Sequence, residues 1–184
     1  MIKNWMRAAP ALAALTLPLL IASAPPASPT ERGALPPSGT TKLVSRLSSK
    51  CADVEGWSTA NGGNVHQWSC RLDNDDNQKW TFRRTADGYW TVVNKLSGKC
   101  LDVEGPSLAD GAHLHQWECR GYSSQKWEVV NTSTTPEFFK LINAYSKKCM
   151  DVSEFSHADG AQIHQWTCRD VNNDNQQWRY FTAG

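Results

Sequence analysis

The sequence predicts an all-β domain made of three equivalent repeats, and three observations carry that prediction. A six-residue array recurs every 49 residues: VHQWSC at Val65 to Cys70, LHQWEC at Leu114 to Cys119 and IHQWTC at Ile163 to Cys168. Each copy keeps the same company, with SSKCADVEG and NQKW around the first, SGKCLDVEG and SQKW around the second, and SKKCMDVSE and NQQW around the third. The region also shows no amphipathic helical period. One repeat of this size cannot bury its own apolar face, so the three must pack into one body.

The elements follow in order. A strand-like segment precedes each array: Lys42 to Leu47, Tyr89 to Lys95 and Phe138 to Ala144. Asn61-Gly62, Asp110-Gly111 and Asp159-Gly160 are pairs that favour tight hairpin turns. About four short strands per repeat, and about twelve in all, are expected. Strand alternation then assigns faces. Cys51 and Asp53 share one face, and His66, Trp68 and Cys70 share another. If Cys51 bonds Cys70, these faces meet and gather Asp53, His66 and Trp68. The opposite positions are apolar in every repeat: Ala52/Leu101/Met150, Val54/Val103/Val152 and Val65/Leu114/Ile163. They belong to the core. Gln67, Gln116 and Gln165 fall on the core side too, so they are expected to be hydrogen-bonded there, because an unpaired buried amide is costly.

The first 24 residues are not domain material. Lys3 and Arg7 precede an apolar run to Ala22, and Ala22-Ser23-Ala24 gives an A-x-A cleavage site. This is the layout of a secretory signal peptide. Residues 25–40 hold five of the nine prolines and read as a linker. The domain is expected over 41–184, with repeats at about 41–86, 87–134 and 135–184. Without the leader the balance is 17 basic against 18 acidic residues. A near-neutral surface argues against nucleic acid or an anionic membrane as the main partner. Six cysteines in a secreted chain imply three disulfides out of fifteen pairings. Cys51/Cys70, Cys100/Cys119 and Cys149/Cys168 are each nineteen apart, which favours one bridge per repeat. Zinc is disfavoured because paired C-x-x-C spacing is absent.

A carboxylate, an imidazole and an indole on one face suit a sugar. The carboxylate accepts hydroxyl protons, the imidazole donates or accepts, and the indole covers the apolar face of a pyranose. The other explanation is structural, since an aspartate near a turn often caps backbone amides and tryptophan is often core. Three convergent residues in three copies favour the sugar.

The pattern C-x-D-V, Q-W-x-C and N-Q-x-W, repeated three times over about 42–182, resembles the ricin B-chain type lectin domain. The resemblance implies a β-trefoil with a disulfide in each repeat. No cofactor or metal is expected. It also implies a pocket built on the C-x-D-V aspartate, the middle-block polar and aromatic residues, and the Asn-Gln pair. Transferred by position, repeat one supplies Asp53, His66, Trp68, Asn77 and Gln78. Repeat two supplies Asp102, His115, Trp117 and Gln125, with Ser124 in place of asparagine. Repeat three supplies Asp151, His164, Trp166, Asn175 and Gln176. Repeat two departs further: Cys119 to Trp127 is eight residues where the others have ten, and Pro106 stands where they have Trp57 and Phe155. The second pocket is therefore expected to be the weakest. Trp80, Trp127 and Trp178 are assigned to the core, and Trp57 and Phe155 to the outer pocket walls.

The expected function is a secreted, non-catalytic, monomeric lectin that engages glycans or polysaccharides without membrane insertion, and the resemblance implies galactose-type sugars or pentose polymers as its ligands. A glycosidase needs two carboxylates flanking one bond, and here the aspartates come one per repeat. A protein-binding trefoil, such as a hydrolase inhibitor, needs a loop that breaks the symmetry, and TSTTPE at Thr132 to Glu137 is the candidate. Asn131-Thr132-Ser133 matches a glycosylation sequon. The run from Asp73 to Asn77 fails as an EF-hand loop, because Gln78 and Arg84 replace the required glycine and glutamate. It is expected to be an acidic loop beside the pocket.

Overall fold

The computed structural model describes residue 1 and residues 35–132, 137–171 and 173–182. The expected signal peptide, most of the linker, the centre of the TSTTPE segment and Ser133 of the sequon lie outside the described residues. Contacts divide the chain into residues 1–31 and 32–184, and the second unit carries the repeats. Among the described residues no helix is long and apolar enough to cross a membrane.

Among the described residues twelve strands form, four per repeat. Repeat one holds β1 (Thr40–Ser45), β2 (Cys51–Val54), β3 (Gly63–Trp68) and β4 (Lys79–Arg84). Repeat two holds β5 (Trp90–Asn94), β6 (Cys100–Val103), β7 (Leu114–Trp117) and β8 (Trp127–Asn131). Repeat three holds β9 (Phe139–Asn143), β10 (Cys149–Val152), β11 (Ile163–Trp166) and β12 (Trp178–Phe181). Six of them close into a barrel: β1 pairs β4, β4 pairs β5, β5 pairs β8, β8 pairs β9, β9 pairs β12, and β12 returns to β1. The other six make three hairpins, β2–β3, β6–β7 and β10–β11, which cap one end. This is the β-trefoil the resemblance implied. Closure leaves the barrel strands no free edge.

The core follows the repeat. Trp80, Trp127 and Trp178 are fully buried, and each indole N–H donates to a hairpin carbonyl, that of Ala52, Leu101 or Met150, at 3.1–3.2 Å. Leu43, Val92 and Leu141, one from the first strand of each repeat, are also fully buried. The apolar hairpin positions named from alternation are all at most 1% exposed. The disulfides are Cys51–Cys70, Cys100–Cys119 and Cys149–Cys168, one per repeat.

The buried glutamines link the repeats in a cycle. Gln67 receives a bond from Ser48 Oγ at 2.7 Å and donates to the carbonyls of Ser156 and Ala158 in repeat three. Gln116 does the same with Ser97 and with Ser58 and Ala60 of repeat one. Gln165 does so with Ser146 and with Ser107 and Ala109 of repeat two. The glycine pairs do not close two-residue hairpins. They end the longer links between hairpin strands, and Gly62, Gly111 and Gly160 (φ 81–82°) donate their amides to the carbonyls of Gln116, Gln165 and Gln67. The turn of one repeat thus serves its neighbour.

Candidate functional site

Pairing within each hairpin sets Asp53 opposite His66, Asp102 opposite His115 and Asp151 opposite His164. Beside them each imidazole stacks on the next indole. His66–Trp68, His115–Trp117 and His164–Trp166 have centroids 5.5, 5.4 and 5.3 Å apart and planes within 28°. The glycine turn of another repeat backs each indole: a Cβ on Gly160, Gly62 or Gly111 would lie 3.8–3.9 Å from Trp68, Trp117 or Trp166. Positive φ at these glycines already disfavours a side chain. Each pocket is therefore assembled from two repeats.

The aspartates are deeply buried, with Asp53 and Asp151 each 1% exposed. In repeat one the carboxylate is fully engaged. Oδ1 lies 3.2 Å from His66 Nε2 and accepts from Asn77 Nδ2 at 2.9 Å. Oδ2 accepts from Arg71 at 3.0 Å and from Gln78 Nε2 at 2.8 Å. Repeat three repeats this, with His164 at 3.0 Å, Asn175 at 2.8 Å, Gln176 at 2.8 Å and Arg169 at 3.4 Å. The Asn-Gln pairs sit in the 3₁₀ turns Asp76–Gln78 and Asp174–Gln176. Those turns bring the amides over the hairpin, where Gln78 and Gln176 also accept the N–H of Arg71 and Arg169 at 2.9 Å.

Sequence reasoning missed the arginines. Arg71, Arg120 and Arg169 each follow a repeat cysteine directly, a regularity that could have exposed them. Arg71 lies over the Trp57 ring at 5.5 Å, and Arg169 lies over Phe155 at 5.1 Å and Trp166 at 5.7 Å. Trp57 and Phe155 are 41% and 42% exposed. Phe155 lines a cavity of about 430 Å³ with Asp151, His164 and Trp166. Trp57 meets the pocket through Arg71.

Repeat two keeps one of these contacts and loses the others. Gln125 still donates to Asp102 Oδ2 at 2.8 Å. Ser124 is too short to replace the asparagine. Arg120 turns to Glu118, donating from Nε and NH2 to Oε2 at 3.2 and 2.9 Å, and it also interacts with Tyr122. Asp102 Oδ1 is buried and has no hydrogen-bond partner among the described residues. The cavity here is about 680 Å³, and Pro106, His115, Trp117, Arg120 and Tyr122 are among its lining. Burial pushes the His115 pKa down, against the attraction of Asp102 and Glu104, so its imidazole is neutral at pH 7.

The acidic run is not a free pocket loop. Asp75 is 2% exposed and pairs with Lys42 at 2.7 Å and Lys79 at 2.5 Å. Burial alone would raise its pKa, but hydrogen bonds from the two lysines hold it below the usual carboxylate range. Among the described residues no group of three or more His, Cys, Asp or Glu is placed to hold a metal.

A six-stranded barrel capped by three disulfide-bonded hairpins, each with its buried Q-x-W indole, defines a trefoil of the lectin type. The chain belongs to the ricin-type beta-trefoil lectin domain-like family, whose model matches residues 34–117 and 123–184. Among solved structures it is similar to the designed threefold-symmetric protein ThreeFoil, with 40% identity and a TM-score of 0.72 over 78% of this chain and 99% of that one. It is also similar to an exo-beta-1,3-galactanase from Clostridium thermocellum, at 30% identity and a TM-score of 0.72. That match covers 82% of this chain but 31% of the enzyme. The Macrolepiota procera ricin B-like lectin, solved in complex with lactose, shares the fold at 19% identity and a TM-score of 0.67, over 80% of this chain and 97% of that one. No curated protein matches the chain.

Proposed function

We propose that this chain is a secreted, non-catalytic lectin that binds galactose-type or pentose-containing glycans through pockets on its three repeats. The observation that supports this most is the triple convergence of a buried aspartate, an imidazole and a half-buried indole in one hairpin register. The aspartate orients hydroxyls, directly or through its amide and imidazole partners, and the indole receives the C–H face of the ring. The lactose-bound relative makes lactose a natural first probe. Three disulfides, which use every cysteine, suit an oxidising compartment. The carboxylates Asp53 and Asp151 are held by four side-chain donors each, which suits a positioning role better than proton transfer. Single pockets of this kind are expected to bind near millimolar, about −4 kcal/mol, so useful affinity comes from engaging several at once.

The test is a glycan and polysaccharide array with the wild type and the triple variant Trp68→Ala/Trp117→Ala/Trp166→Ala, after circular dichroism has shown both to be folded. A signal lost in the variant is expected. A signal that survives all three substitutions refutes the pocket assignment, and a blank array from folded wild type refutes the lectin reading.

A further inference from the structure

Resting on the carbohydrate reading, we propose that repeat two is the principal sugar site, because Glu118 draws Arg120 away from Asp102 while Arg71 and Arg169 lie across the carboxylates of repeats one and three. This reverses the order expected from the sequence, which ranks repeat two last.

The residue between the array tryptophan and cysteine decides where the arginine goes. In repeat one it is Ser69, whose hydroxyl and amide bond Asp159 from repeat three. In repeat three it is Thr167, bonded the same way to Asp110 from repeat two. Lys50 and Lys148 neutralise those two aspartates at 2.8 and 2.7 Å. Neither hydroxyl offers a charge to the neighbouring arginine, which turns inward to the buried carboxylate. In repeat two the residue is Glu118, and its amide bonds Asn61 at 2.9 Å. Asparagine there avoids setting an aspartate beside the glutamate. Positions 61 and 118 thus differ from their equivalents together, as a matched pair. The loop after Cys119, two residues shorter, adds Tyr122 on the arginine.

The consequence lies at Asp102. Its Oδ1 has neither the histidine nor the asparagine bond that the other repeats supply, and its Oδ2 keeps the Gln125 bond without a guanidinium, yet the residue is only 5% exposed. A buried carboxylate oxygen without a donor is costly, and a sugar hydroxyl reaching it forms a charge-assisted bond without displacing an existing donor. In repeats one and three a hydroxyl must share Oδ1 with an imidazole and an amide, or Oδ2 with a guanidinium and an amide, or expel one of them. The ligand class is a neutral pyranose. Asp102 and Glu104 both line the cavity and repel an acidic sugar, Trp117 offers the stacking face, and Tyr122 and Pro106 stand on its walls.

The test is a ¹H–¹⁵N titration of the full chain with lactose and then D-xylose, following the indole N–H signals of Trp68, Trp117 and Trp166. The signals are assigned from single Trp→Phe variants. Trp117 is expected to respond with a Kd at least about tenfold below those of the other two. The paired change Glu118→Thr/Asn61→Asp is expected to raise that Kd about tenfold, and Thr167→Glu/Asp110→Asn to lower the Kd read at Trp166. Glu118→Gln removes only the charge at an exposed position, so it should fold and should weaken the Trp117 site in the same direction. A response in which Trp68 or Trp166 saturates first, or a Trp117 site unmoved by these changes, overturns this inference and leaves the lectin reading standing. No response of any indole to either sugar overturns both.

Discussion

Gln165→Leu tests the cyclic linkage directly. The side chain is fully buried and makes three bonds: it accepts from Ser146 Oγ at 2.6 Å and donates to the carbonyls of Ser107 and Ala109 at 2.8 and 2.9 Å. Leucine has similar volume, so the cavity contribution is small. Each bond contributes about 1 kcal/mol net, and losing all three gives about 3 kcal/mol. Water can reach the carbonyl of exposed Ala109 and recover part, which sets a lower bound of about 2 kcal/mol. For a domain of this size that lowers Tm by roughly 8 °C. Guanidinium unfolding followed by tryptophan fluorescence gives the free energy. Gln67→Leu and Gln116→Leu break equivalent bonds and should cost the same within about 0.5 kcal/mol. A loss below about 1 kcal/mol for Gln165→Leu, or sharply unequal losses among the three, would refute the view that these amides hold the repeats together.

Removing one bridge with Cys100→Ser/Cys119→Ser should destabilise the fold by about 3 kcal/mol in the same unfolding assay. Peptide mapping without reduction should return only within-repeat pairs. Trp127→Phe takes away the donor to the Leu101 carbonyl and should cost about 1–3 kcal/mol, read by calorimetry. Asp75 has a folded pKa below its unfolded value, so its contribution is complete above the unfolded pKa of about 3.9 and is lost as pH falls through the folded one. Asp75→Asn should accordingly be less stable than wild type at pH 7, with the gap narrowing below about pH 4 in unfolding curves taken from pH 7 to pH 2.

Local pattern carried much of this structure. Alternation through Cys51 to Val54 and Val65 to Cys70 separated pocket from core, because strand geometry leaves a side chain two choices of face. The misfit of Gln67, Gln116 and Gln165 on the apolar side announced their bonding, though not their partners. Those partners lie in another repeat, and no pattern within a repeat names them. The same limit explains Lys42, an apparent surface residue of β1 that neutralises Asp75, and Arg120, whose direction depends on one neighbouring glutamate. The glycine pairs read as hairpin turns because the dipeptide is local, while their role in backing an indole of another repeat depends on barrel closure. Ser124 and Pro106 made repeat two look degraded. In three dimensions the loss of the asparagine, the shorter loop and Glu118 act together, leaving Asp102 with Gln125 alone of its usual hydrogen-bond partners.

The pairing of β1 with β12 sets Lys42 beside Phe181 in antiparallel register. Thr40 and Thr182 consequently leave the barrel side by side, at the end away from the three hairpins. A circularly permuted chain, with those ends joined by a short loop and a new opening at the exposed Asp87-Gly88 turn, should keep the same three pockets.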